Sequence, residues 1–200
     1  MSNFAGAKTF VHTLLYIKKT LTAPEYIQLR AFARYDGMIL FVLWIISFGL
    51  YVAGLTTPFL SLLAMVVALI TPFMSVRMVR RYRDDGLSGA ISFRRAWAYV
   101  VLMFFYASLL FAIAQFVYFA YLDKGFFLSQ ISQMFNEPQT AQALQQMGWG
   151  PAMSQALTDL GQMRPIDLAL NIMTTNLLIG VILGLPVAVV SKRNRIEKVQ

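Results

Sequence analysis

Residues 38–76 read MILFVLWIISFGLYVAGLTTPFLSLLAMVVALITPFMSV, without one charged side chain. About 20 apolar residues already cross the roughly 30 Å of bilayer hydrocarbon, so the run is too long for one crossing. It divides at the short turn Leu55–Thr57, just before Pro58. The expectation is an antiparallel hairpin of two spans, 38–54 and 58–76. Backbone N–H and C=O groups in lipid have to be paired within the segment, so both spans are read as helices.

Working outward, two more apolar stretches follow at 96–122 and 168–190. The fold class is therefore all-α: a polytopic membrane protein of four transmembrane helices, with amphipathic interfacial helices beside them. Residues 1–37 form an N-terminal arm, 38–190 the membrane domain and 191–200 a basic tail. Residues 123–167 form a long loop between spans three and four. Composition agrees. The 200 residues are 58% hydrophobic and 13% charged, where soluble proteins carry about 25% charge. No room remains for a separate soluble catalytic domain.

The basic residues fix the orientation. Lys8, Lys18, Lys19, Arg30 and Arg34 precede span one. Arg77, Arg80, Arg81, Arg83, Arg94 and Arg95 lie between spans two and three, and Lys192, Arg193, Arg195 and Lys198 follow span four. The other side has only Lys124 and Arg164. Short loops rich in Lys and Arg stay in the cytoplasm, so both termini are expected there, in a bacterial inner membrane. The same distribution speaks against nucleic acid as the partner of the net charge of +8. Lys18 and Lys19 follow the weakly apolar residues 4–17 rather than precede them, which is the wrong order for a cleavable signal peptide. Span one is expected to act as an uncleaved insertion signal.

The remaining segments alternate apolar and polar residues at helical spacing. Phe10, Leu14, Ile17 and Leu21 suggest an interfacial helix over residues 9–21. Residues 24–36 start with a proline suited to a helix N-terminus and run into span one. In the long loop, 126–135, 139–147 and 152–163 read as short helices separated by Pro138, Gly148, Gly150 and Pro151. They lie on the membrane surface or cap the bundle, as a packed cover or as a lid. Trp149 suits an interfacial anchor.

Catalytic and metal chemistry find no footing. Cysteine is absent, the single histidine is His12, and no serine sits in a nucleophile elbow. No catalytic residue, metal ligand or cofactor is assigned. The spans hold no acidic, basic or histidine side chain near their centres, which argues against ion-coupled transport. Three features remain. Arg80, Arg81, Arg83, Arg94 and Arg95 form either a topogenic cluster or a site for a phosphorylated lipid headgroup, since the arginine fork matches phosphate. Gln115, Asn171, Thr175 and Asn176 either bind helices together or line a polar cavity. Gly180 and Gly184 allow close helix approach, within the bundle or between protomers. Pro72 and Pro186 each interrupt the hydrogen-bond ladder of their span.

The connector Tyr82–Trp97, YRDDGLSGAISFRRAW, carries a resemblance. With a short-turn hairpin before it and a long third span after it, the chain resembles a domain-of-unknown-function family of four-span inner-membrane proteins widespread in Bacteroidota. Gly89, Ile91, Ser92, Phe93 and Trp97 match its glycine turn, its I-S-F segment and its aromatic. The family's usual double glycine is Ser88–Gly89 here. The resemblance covers about residues 30–190. It implies an envelope role and brings no activity or catalytic residues. The functional expectation is a non-enzymatic, oligomeric scaffold or accessory subunit, with membrane lipids, further copies of itself or another membrane protein as partners. A transporter or channel lined by the polar residues of spans three and four, and a lipid-phosphate-binding protein, are the alternatives.

Overall fold

Thr22 starts the first helix. Glu25 reaches back to the Thr22 backbone N–H at 3.0 Å, and Pro24 occupies the first turn, where its missing N–H costs nothing. From there α1 runs unbroken over Ala23–Gly54. The structure, a computed structural model, describes residues 22–193. The interfacial helix expected over 9–21 lies outside the described residues, as do Arg195 and Lys198. Helix α2 spans Pro58–Arg81 and ends in a π-helical turn, Tyr82–Gly86. Helix α3 spans Phe93–Val117 and also ends in a π turn, Tyr118–Leu122. Three short helices follow: α4 (Phe126–Asn136), α5 (Pro138–Gln146) and α6 (Gly150–Gln162). Helix α7 spans Pro165–Ser191. There are no strands among the described residues, and the four long helices are long and apolar enough to cross a membrane.

The helices alternate in direction. One end of the bundle gathers Arg77 to Arg95 with Lys192 and Arg193, and is called the basic end. The other carries the turn at 55–57 and the three short helices, and is called the loop end. Helix α3 is the most buried of the four and packs along both α1 and α7; α1 also packs along α2. The order around the bundle is α2–α1–α3–α7. Its closing edge, α2 against α7, is the loosest of these pairings. Outward positions such as Phe59, Leu62, Leu69, Phe73, Ile113 and Ile182 are exposed. A continuous apolar exterior of this kind suits lipid and not water.

Small residues set the close crossings. A Cβ on Gly180 would meet the ring of Phe104, and one on Gly184 would lie 2.8 Å from Trp97 Cδ1. The Gly180 and Gly184 face is thus used inside the bundle, between α7 and α3. Gly37 does the same for α1, where a Cβ would sit 2.9 Å from the Met103 carbonyl oxygen. Trp97 Nε1 also donates to the Val181 carbonyl at 3.0 Å.

As expected for residues 24–36, the helix that opens at Pro24 runs directly into span one, so residues 23–37 are the first half of α1. Asp36 within it is fully buried at the basic end, outside the expected span 38–54. Its side-chain oxygens accept from Arg81 and from the Tyr99 hydroxyl. An unpaired buried carboxyl group is costly, and these two partners satisfy it inside the bundle.

Candidate functional site

At the basic end most of the arginines expected to meet lipid are held by protein groups. Arg81 pairs with Asp36. Arg95 donates to Glu25 at 2.9 Å and to the Tyr82 hydroxyl at 3.2 Å. The Tyr82 ring stacks on Tyr99 with centroids 4.7 Å apart and planes 8° from parallel. Arg83 grips Asp84 through two bonds, of 2.8 and 3.0 Å, and donates to the Ser191 carbonyl at 3.2 Å. A two-bond bridge between Ile91 and Arg193, at 3.0 and 3.1 Å, ties the end of α7 to the connector. The connector can turn there because Gly89 adopts φ 87°, and Ser92 then caps α3 by accepting from the Arg95 N–H at 3.4 Å. Of the five arginines, Arg81, Arg83 and Arg95 thus clamp all four long helices together. Arg94 is exposed on the first turn of α3. Arg80 lies elsewhere, in a groove.

That groove runs along the loose edge between α2 and α7. It encloses about 610 Å³ and is lined by Pro72, Phe73, Val76, Arg77 and Arg80 of α2 and by Leu183, Pro186, Val187 and Val190 of α7. Arg77 was not among the headgroup candidates. Its position one turn before Arg80 was the signal that could have found it.

Deeper in the bundle, toward the loop end, lies a larger cavity of about 810 Å³. Its walls come from all four long helices: Trp44 and Phe48 of α1, Ala64 and Ala68 of α2, Phe104 and Phe111 of α3, Ile172 and Ile179 of α7. Phe127 and Ile131 of α4 and Leu160 of α6 roof it. The three short helices match the expected segments 126–135, 139–147 and 152–163 closely, and part of their apolar stripe caps the bundle. Met134 and Trp149 stay exposed. Asp123 holds the roof in place by accepting from the Gly125 and Phe127 N–H groups at 3.1 and 2.9 Å. Pro72 and Leu183 line both the cavity and the groove, so the two meet there.

The polar groups at the cavity are few. Trp44 Nε1 donates to Thr71 Oγ1 at 3.1 Å, and Ser47 Oγ donates to the Ala64 carbonyl at 2.9 Å, so these are satisfied. Gln115 is 2% exposed, and its Oε1 has no partner among the described residues. Buried polar atoms are almost always paired, so this oxygen is free to accept from a group in the cavity it lines. Asn176 also lines the cavity. Asn171 and Thr175 do not; both are exposed, and the Thr175 hydroxyl bonds back to the Asn171 carbonyl at 3.0 Å. The four polar residues expected to share one path are therefore split into two pairs. The cavity lining is predominantly Phe, Ile, Leu, Met and Ala.

These features define a bundle of four helices long and apolar enough to cross a membrane, with a roofed apolar cavity that adjoins the α2–α7 groove. The chain belongs to the family described as Protein of unknown function (DUF4199), whose sequence profile matches residues 35–193. No protein of curated function and no solved structure matches it.

Proposed function

We propose that this protein is a non-enzymatic lipid-binding subunit of the bacterial inner membrane that holds an apolar chain in its central cavity. The observation that carries the reading is the cavity itself. A space of about 810 Å³ lined almost wholly by apolar side chains falls within the ~300–1,000 Å³ of ordinary ligand pockets. It adjoins the one loose edge of the bundle, where a lipid chain would enter from the bilayer. The unpartnered Gln115 amide gives the chain one polar mark to meet. Both termini face the cytoplasm on this reading, because the basic end carries nearly all of the cationic side chains.

Two other readings are less well supported. A polar conduction path needs a continuous hydrophilic lining, and Asn171 and Thr175 point away from the cavity that Gln115 and Asn176 share. A self-assembled scaffold drew on the Gly180 and Gly184 face, which α3 already occupies. An accessory role beside another membrane protein is compatible with lipid binding and remains part of the proposal.

The test is native mass spectrometry of the full chain extracted gently from its own membrane, beside an Ala68→Trp variant. Ala68 lines the cavity, so tryptophan would fill space that a chain would use. Wild-type protein is expected to carry lipid at fixed stoichiometry and the variant to lose it while staying helical. Equal lipid in both would reject the reading.

A further inference from the structure

Arg77 and Arg80 sit one helical turn apart on α2, both exposed, and both line the α2–α7 groove. Neither forms a hydrogen bond or ion pair with a described residue. Arg80 contributes only through space to the field at Asp84, a carboxylate already gripped by Arg83. They contrast with Arg81, Arg83 and Arg95, whose guanidinium groups pair with Asp36, Asp84 and Glu25. The rest of the groove is apolar, and it leads past Pro72 and Leu183 into the cavity. The two spaces therefore form one amphiphilic channel, cationic at the basic end and apolar inward. Pro72 lies five and eight residues before Arg77 and Arg80, about 8–12 Å along the helix at ~1.5 Å per residue. That is the order of groups in a lipid whose phosphate rests at the membrane surface.

We infer that the α2–α7 groove is the headgroup half of a single lipid site, in which Arg77 and Arg80 hold the phosphate of an anionic lipid whose chain passes between Pro72 and Leu183 into the cavity. This rests on the cavity being a site for a lipid chain, and it adds the chemical class of the lipid and its direction of entry. Arginine suits the role because its planar fork presents two parallel N–H donors to phosphate oxygens. Guanidinium groups with no partner among the described residues, at the mouth of an apolar groove, are complementary to a phosphate joined to hydrocarbon and not to a free ion.

The experiment loads the full chain into vesicles of equal parts phosphatidylglycerol and phosphatidylcholine and counts retained lipids by native mass spectrometry. Arg77→Gln, Arg80→Gln and the double variant are compared with wild type and with Ala68→Trp. Each single variant keeps fourteen of the fifteen basic residues expected on that side, so insertion is preserved. Wild type is expected to favour phosphatidylglycerol. Each single variant should reduce that preference several-fold, and the double variant, which removes both arginine contacts, about tenfold or more. Total bound lipid should fall only in Ala68→Trp. An undiminished preference in the Gln variants, with Ala68→Trp still depleted, overturns the headgroup assignment and leaves the cavity reading intact. Full lipid content in Ala68→Trp overturns the cavity reading and this one with it. Retention of inorganic phosphate alone, with no lipid mass, also overturns it.

Discussion

Asp36 of α1 and Arg81 of α2 form an ion pair in which the carboxylate is fully buried while the arginine side chain remains 41% exposed. The Tyr99 hydroxyl of α3 completes the site. Three helices thus meet at one carboxylate. Arg81→Ala leaves it with only the tyrosine, and breaking one partner of a buried pair typically costs about 3–5 kcal/mol. The partial exposure of Arg81 puts the expected loss near the lower figure. Tyr99→Phe removes one hydrogen bond to a charged group and should cost less, roughly 1.5–3 kcal/mol. Thermal unfolding in one detergent should rank Arg81→Ala below Tyr99→Phe, and both below Arg80→Ala. Equal stability of Arg81→Ala and Arg80→Ala would show that the pair is not structural.

Gly180 and Gly184 separate packing from flexibility. Leucine at Gly180 must displace Phe104, and at Gly184 it must displace Trp97. Either change forces α7 off α3, and overpacking costs about 1–3 kcal/mol or more. Gly49 is the internal control, because a Cβ there meets nothing within 4 Å. Gly49→Ala is expected to leave the melting temperature unchanged or raised, whereas Gly180→Leu and Gly184→Leu lower it. A Gly180→Leu protein that melts with wild type would contradict the close α3–α7 crossing.

Trp97→Phe tests the bond to the Val181 carbonyl. The ring is largely kept and the 3.0 Å hydrogen bond is lost. A loss of about 0.5–1.5 kcal/mol is expected in unfolding measurements.

The absence of cysteine makes orientation directly measurable. Ser88→Cys marks the basic end and Gln146→Cys the loop end, at positions exposed in the structure. A membrane-impermeant maleimide applied to intact inner-membrane-bounded cells should label Gln146→Cys alone. Labelling of Ser88→Cys instead would invert the topology, and the groove arginines would then face the outside.

The spans were legible because lipid demands length and apolarity, and 38–76 states both in one unbroken run. Where α1 begins was harder. Leu29, Ala33, Asp36 and Leu40 fall at spacings of 4, 3 and 4 and all face inward, so an acidic residue stands on an otherwise apolar stripe. That pattern was present in the letters, but hydropathy discounts a residue two places before an apolar run. The partners of Asp36 come from residues 81 and 99, and no local pattern joins them. The arginine cluster was visible as charge and not as roles: its division into clamp and groove follows from which side of α2 and α3 each residue faces. Cysteine-free, histidine-poor composition was readable at once. The cavity was not, because it arises from the distance between α2 and α7, which no single helix encodes.

The loose α2–α7 edge described above bears on what concentration means for this protein. On the proposed lipid-binding reading, this edge opens in the plane of the bilayer, so a ligand arrives by lateral diffusion among lipids and never crosses water. Occupancy is then set by the mole fraction of that lipid in the surrounding leaflet. Diluting the cell suspension, or the vesicles, leaves it unchanged; altering the lipid mixture shifts it directly. A protein that binds lipid in this way would read the composition of its own solvent.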